Sequence, residues 1–268
     1  MINLVIGFAL SNIVSILAYK KESLNLSGAI SAIILGTLLF VFGGAFLWMI
    51  MIGFFISSSV ISKLGKRQKE FTKDINEKGS RRDVTQVLAN GGLGLAVAFC
   101  YYLTDAEEFL LAYVVLFASV NADTWSSELG VLSKKKPVSI LTFRVVDKGT
   151  SGGISKLGTI AAILGSSFIA LIFFVGYLLT YGYNNMLMLM TMLCLLGGFL
   201  GSIIDSVMGG TVQGKFCCQV CNCITEKKIH HNKPTIHKKG WKVLNNEGVN
   251  FFSAAISSLI MVLIFQLF

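Results

Sequence analysis

Residues 157–205 read LGTIAAILGSSFIALIFFVGYLLTYGYNNMLMLMTMLCLLGGFLGSIID, and no Asp, Glu, Lys, Arg or His interrupts them before Asp205. The stretch divides near Gly182-Tyr183-Asn184 into two apolar runs, 157–180 and 185–205. Each is close to the ~20 residues that an α-helix needs to cross a bilayer, and length rather than periodicity predicts the helix. Six further runs of this kind occur at 2–19, 27–42, 45–62, 84–103, 107–122 and 248–268. The runs 27–42 and 45–62 are joined only by Gly43-Gly44, which allows a tight hairpin or one very long helix. The hairpin is favoured because 36 apolar residues exceed the thickness of a bilayer. The first run reads as a span and not as a signal peptide. It starts at Met1 without a basic region, and Tyr19-Lys20-Lys21 offers no small-residue cleavage site.

Composition agrees. Of 268 residues, 54% are hydrophobic and 14% charged, with a mean hydropathy of +0.71, whereas a soluble domain carries about 25% charged residues. Two prolines and 27 glycines suit close-packed membrane helices. The predicted fold is an all-α polytopic membrane helix bundle of about eight spans, a single integral-membrane domain over 1–268.

All 23 Lys and Arg residues fall at Lys20-Lys21 or in the loops 63–83, 123–156 and 209–247. With eight spans these segments face one side. The opposite loops carry only Asp105, Glu107 and Glu108 as charges. The positive-inside rule makes the basic side cytoplasmic and places both termini outside, as expected of a multi-pass protein of the cell membrane. The net charge of +9 is thus largely a topological signal, with some attraction for anionic headgroups or a phosphorylated substrate. No basic motif interleaved with aromatics points to nucleic acid.

Polar groups within spans mark functional sites. Arg82, Gln86 and Asn90 recur every four residues and so stack on one helix face. Asp123 and Ser127 share a face near the end of the fifth span, beside Ser126 and Glu128. Gly201, Asp205 and Gly209 stack likewise near the end of the seventh, and the eighth opens with Asn245, Asn246 and Asn250. Single Ser, Asn or Gln residues are commonly helix-to-helix hydrogen bonds. Two carboxylates at that depth, with no intramembrane Lys, suggest a divalent cation. Mg²⁺ suits, since it binds one or two carboxylates together with substrate phosphates.

Before the sixth span comes Lys148-Gly149-Thr150-Ser151-Gly152-Gly153-Ile154-Ser155. Glycines permit close backbone approach and a helix N-terminus presents free N–H groups, an arrangement that suits phosphate. It is not a Walker loop. With the aspartates, Arg144, Lys148 and Lys156 nearby, phosphate handling outweighs a plain turn. The loop 209–247 holds Cys217, Cys218, Cys221 and Cys223, then His230, His231 and His237. Cys218-x2-Cys221 with His230 and His231 has the ligand types and approximate spacing of a structural zinc site, with unliganded thiols as the alternative. Cys100 and Cys194 read as packing residues.

These motifs resemble the membrane family known as domain of unknown function ninety-two, which includes the phytyl-phosphate kinase of plant vitamin E synthesis. The likeness covers nearly the whole chain and rests on residues 82–91, 122–130, 148–155, 201–206 and 245–250. It implies a kinase that converts a membrane isoprenoid monophosphate to its diphosphate with Mg²⁺ and CTP as donor. Asp123 and Asp205 would hold the metal, with Glu128 as a third ligand or neighbour. Gly149, Thr150, Ser151, Gly152 and Gly153, with Ser126 and Ser127, would cradle the donor phosphates. Lys148 and Arg82 would neutralise the transferring group, Asn90 and Asn250 would orient the lipid phosphate or a metal-bound water, and Gln86 and Asn246 would be further binding residues. Expected partners are an isoprenoid phosphate lipid and a nucleoside triphosphate, with a homo-oligomer left open. Competing readings are a prenol kinase, a CDP-lipid-forming cytidylyltransferase, a polyprenyl-lipid or ion transporter, and a membrane scaffold recruiting partners through the cysteine loop.

Overall fold

A computed structural model of the chain describes residues 1–75, 77–79 and 81–268. Its helices are α1 Ile2–Lys20, α2 Leu26–Lys63, α3 Thr72–Ile75, α4 Val84–Thr104, α5 Glu107–Gly130, α6 Lys156–Tyr181, α7 Asn185–Thr211 and α8 Asn246–Phe265. All but α3 are long and apolar enough to cross a membrane, so seven spanning helices stand where eight were expected. The difference lies in α2. No loop separates its arms, and within it only Gly44 leaves helical geometry, at φ 62° and ψ −167°. Glycine adopts that left-handed φ without the strain a Cβ would bring.

The chain reverses at Gly44. The Phe40 and Trp48 rings meet edge-on at 6.0 Å, and Lys63 Nζ donates to the Lys21 carbonyl at 2.8 Å, beside the start of α2. Two other helices outrun their expected ends. α5 continues to Gly130 and α7 to Thr211, beyond 122 and 205. Their polar last turns look like loop by composition, yet they face protein and a polar cavity, where helix remains the way to satisfy the backbone.

α5 forms the axis of the bundle, with every residue from Leu110 to Ala122 buried. It packs against α2, α4, α6, α7 and α8. Polar residues tie it in place. Asn121 Nδ2 donates to the Gly165 carbonyl at 2.7 Å while its Oδ1 accepts from Ser57 at 3.0 Å, and Tyr113 donates to the Leu47 carbonyl at 2.8 Å. On the α7 side Gly201 admits the closest approach, since a Cβ there would lie 2.5 Å from Ser119 Cβ. Outer faces expose Leu164, Leu171, Met192, Leu259 and Leu263, a surface that lipid rather than water covers.

The basic segments gather at one end of the bundle. There Arg81 pairs with Glu22, Lys215 Nζ donates to the Ser151 carbonyl at 2.9 Å, and Lys239 Nζ to that of Gly210 at 2.9 Å. Short strands shape the loops at this end. β1 Val138–Ser139 pairs with β2 Gly153–Ile154. In the cysteine loop β3 Lys215–Cys217 lies between β4 Ile224–Thr225 and β7 Ile236–Lys239, and β5 Ile229–His230 pairs with β6 Lys233–Pro234.

Candidate functional site

A cavity of about 820 Å³ opens among the loops of the basic end. Most residues expected to handle phosphate or a divalent cation line it, those of α4, α5, α7 and α8 and the whole run Lys148 to Gly153, whereas Arg144 and Lys156 lie outside the lining. Five motifs distant in sequence thus share one chamber, four of them at helix ends and the fifth in the loop before α6.

Its floor is a carboxyl pair. Asp123 of α5 and Asp205 of α7 face each other within hydrogen-bonding range. Ser253 Oγ donates to Asp205 Oδ2 at 3.2 Å. The amide orientation of Asn250 that satisfies its neighbours donates to the same oxygen at 2.9 Å. Side by side in the cavity lining, the two groups repel each other as carboxylates, and either a shared proton or a bound cation would relieve that repulsion. Glu128 does not join them. Five residues beyond Asp123 on a helix turns it about 140° away, and it pairs with Lys69 at 2.6 Å. Of the two roles expected for Glu128, this placement fits a neighbour of the pair rather than a third ligand.

Arg82 forms the opposite wall. Its backbone is bolted to the α1–α2 turn, with Arg82 N donating to the Ser23 carbonyl and Asn25 N to that of Arg82, both at 3.0 Å. Gly28 permits this, since a Cβ there would collide with the Arg82 carbonyl oxygen. The guanidinium lies over the Phe54 and Phe55 rings at 5.6 and 5.7 Å. It donates to Ser58 Oγ at 3.0 Å. Burial lowers its pKa to about 10, partly offset by the charge of Glu128. Nη1 of Arg82 and Oδ1 of Asn90 are buried without a partner among the described residues. A second, apolar recess of about 50 Å³ adjoins, walled by Leu35, Met51, Phe54 and Phe117, and it shares Arg82, Gln86 and Asn90 with the polar cavity.

The glycine loop is more constrained than an open phosphate cradle. Thr150 N is bonded to the Asp147 carbonyl at 3.2 Å and Gly153 N to that of Thr150 at 2.9 Å. Gly152, at φ 83°, packs on the α7 backbone, where a Cβ would sit 2.6 Å from Gly210 Cα. Part of its glycine content therefore serves packing. Lys148 Nζ donates to the Ser133 carbonyl from the cavity rim, and Ser127 Oγ donates to the Thr124 carbonyl at 3.2 Å.

Several lining residues escaped sequence reasoning. Lys69 does so as the partner of Glu128. Lys78 bridges Asp83 at 2.9 Å and Glu247 at 3.5 Å, joining the loop before α4 to the start of α8. Glu226 comes from the cysteine loop, reaches into the cavity and accepts from Ser151 Oγ at 2.7 Å and Gln213 Nε2 at 2.8 Å. Burial raises its pKa against the pull of those two bonds. No spacing rule links it to the other motifs, so nothing local marks it.

Cys218, Cys221, His230 and His231 converge as expected, each with one ligand atom, all within 4.8 Å of one another. Among the described residues this is the one such group of three or more. It lies outside the lining of the polar cavity.

Helices of spanning length around a polar chamber at one end define a multi-pass integral membrane protein. The chain belongs to the integral membrane protein family DUF92, whose family model matches residues 9–258. It is 33% identical to Protein PGR of Arabidopsis thaliana over 95% of this chain and 93% of that protein. An uncharacterized membrane protein of Methanocaldococcus jannaschii is 31% identical over 99% of this chain and 95% of its own. Protein VTE6, chloroplastic, of Arabidopsis thaliana is 26% identical over 91% of this chain and 66% of its length. No solved structure matches the chain.

Proposed function

We propose that the protein is a prenyl-phosphate kinase, transferring the γ-phosphoryl group of CTP to an isoprenoid monophosphate. The observation that carries this reading is the meeting of an apolar recess and a polar cavity at Arg82, Gln86 and Asn90. An amphiphile with a phosphate head and a hydrocarbon tail has that division. Arg82 Nη1 and the Gln86 amide would bind the head, with Asn90 orienting it, while Leu35, Phe54 and Phe117 would face the first isoprene units. The family resemblance supports the same substrate class, and the charge asymmetry supports a cytoplasmic basic end in the cell membrane.

Asp123 and Asp205, with no salt-bridge partner among the described residues, would hold a Mg²⁺ ion, which would screen the charge of the transferring group. Lys148 to Gly153 would line the donor side with Ser126 and Ser127, and Asn246 and Asn250 would brace the carboxyl pair. A terminal oxygen of the lipid phosphate attacks the γ-phosphorus of CTP. The new P–O bond forms the diphosphate as the old one breaks and CDP leaves with its electron pair. A phosphate monoester is already anionic near neutral pH, so the residues contribute alignment and charge stabilisation rather than a strong base.

The test is incubation of the detergent-solubilised protein with Mg²⁺, CTP labelled at the γ-phosphate, and prenyl phosphates of several lengths. Label entering a lipid diphosphate, lost in Asp123→Ala, supports the assignment. A CDP-lipid with pyrophosphate, or a monophosphate formed only from free prenol, would replace it with the corresponding transferase. Absence of transfer from any nucleotide, in protein shown to be folded, rejects it and favours transport.

A further inference from the structure

We propose that Cys218, Cys221, His230 and His231 bind one zinc ion, and that this ion holds in place the loop segment that sets Glu226 into the polar cavity. The geometry supports four-coordination. Zn–S bonds near 2.3 Å and Zn–N bonds near 2.0 Å in a tetrahedron put neighbouring ligand atoms roughly 3.4–3.8 Å apart. Cys218 Sγ lies 3.5 Å from His231 Nδ1, and Cys221 Sγ 3.8 Å from His230 Nδ1.

The backbone is folded around those atoms. Asn222 N donates to the Cys218 carbonyl at 3.0 Å and Cys218 N to that of Cys223 at 3.0 Å. Val220 N donates to Cys218 Sγ at 3.3 Å, a bond that favours thiolate. His231 and Asn232, at φ 52° and 58°, form the two-residue turn between β5 and β6, and the His230 and His231 rings lie 4.1 Å apart, centroid to centroid.

Apolar burial does little to hold this loop together. Between 215 and 242 the buried apolar side chains are Phe216 and Cys218, whereas Val220, Ile224, Ile229, Ile236 and Trp241 are exposed. Strands of two to four residues cannot stand alone. A metal ion is the usual substitute for a missing core.

The brace acts on the cavity through a short path. His230 follows Glu226 by four residues; Thr235 Oγ1 bonds the Lys227 and Lys228 carbonyls of the intervening chain at 2.8 and 3.0 Å, and at its start Glu226 N donates to the Ile75 carbonyl at 2.8 Å. Loss of the ion frees the segment that delivers the Glu226 carboxylate to Ser151 and Gln213. The site does not depend on which group the cavity transfers, and its test reads metal rather than product.

Full-length protein purified in detergent from zinc-supplemented cells, under reductant, should contain about one zinc per chain by plasma mass spectrometry. Cys218→Ser and His231→Ala should each lower this to under about 0.2, while Cys217→Ser and Cys223→Ser retain it. Replacement by Co²⁺ in the wild-type protein should give the absorption of a tetrahedral S2N2 site. Removing zinc from the wild type with a chelator should raise hydrogen exchange across 215–236 by about tenfold or more, leaving α5 and α7 unchanged. Folded wild-type protein with under about 0.2 zinc, a Cys221–Cys223 disulfide in its place, equal loss in Cys223→Ser, or unchanged exchange after stripping would each overturn the proposal.

Discussion

Gly201→Ala should separate the two carboxyl-bearing helices and so disable the site without touching it. Asp123 stands one turn after Ser119 on α5, and Asp205 one turn after Gly201 on α7. The Ser119–Gly201 contact therefore sets the spacing directly beneath the carboxyl pair. A Cβ on residue 201 would lie 2.5 Å from Ser119 Cβ, and carbon atoms rest at about 3.5 Å or more, so the helices must part by about 1 Å. The Ser119 hydroxyl can rotate away, but its Cβ belongs to the helix and cannot. Overpacking of this kind costs about 1–3 kcal/mol. A 1 Å misplacement of reacting groups costs about 10²-fold in rate. Phosphoryl transfer and thermal unfolding in detergent would be measured for Gly201→Ala, Ser119→Gly and the double variant. Ser119→Gly removes the obstructing carbon, leaving Ser257 Oγ at 3.0 Å as the nearest remaining atom, at a helix-propensity cost of about 0.5–1 kcal/mol. The double variant should thus recover most of the lost activity, with a coupling of about 0.5–3 kcal/mol in stability. Wild-type behaviour of Gly201→Ala, or a double variant no better than it, would refute the reasoning.

Arg82→Lys should raise KM for the lipid phosphate by about 10- to 100-fold, the worth of one hydrogen bond to a charged group, with KM for the nucleotide little changed; equal effects on both would place Arg82 elsewhere. Asp205→Asn preserves shape and the bonds from Ser253 and Asn250 but removes charge, so activity should fall about 10²-fold or more while the unfolding temperature holds or rises. Both assays on one preparation separate the two effects. Glu226→Gln should stabilise the protein more at pH 8 than at pH 5. Burial raises the folded-state pKa of Glu226, with Ser151, Gln213, Lys215 and Glu247 as its electrostatic surroundings. The stability of the neutral carboxyl is therefore full below the unfolded pKa and lost as pH rises through the folded one. A gain in unfolding temperature independent of pH would contradict this.

Much of the fold is legible in one dimension. Apolar runs locate the helices because the bilayer imposes a length, and the confinement of Lys and Arg to alternate loops foretells their meeting at one end. The polar triplets of α4, α5, α7 and α8 are visible for the same reason, since a polar side chain within an apolar run stands out without reference to its neighbours. The ends of α5 and α7 were not legible, because their polar last turns have the composition of loops. Neither was the absence of a loop between the arms of α2: Gly43-Gly44 predicts the hairpin, and a single glycine dihedral at Gly44 makes the reversal.

Hydropathy, charge order and residue type determine that this chain is a membrane helix bundle with a phosphate- and cation-like set of side chains at one end. They are properties of each segment alone. Tertiary structure decided which of those side chains meet. Asp123 faces Asp205 while Glu128 turns to Lys69, Arg82 is driven over Phe54 and Phe55, and Glu226 enters from a loop that looked separate. Such pairings depend on helix spacing and rotation to within about an ångström, set by contacts such as Ser119 on Gly201, and packing at that precision is a joint property of residues far apart in the chain.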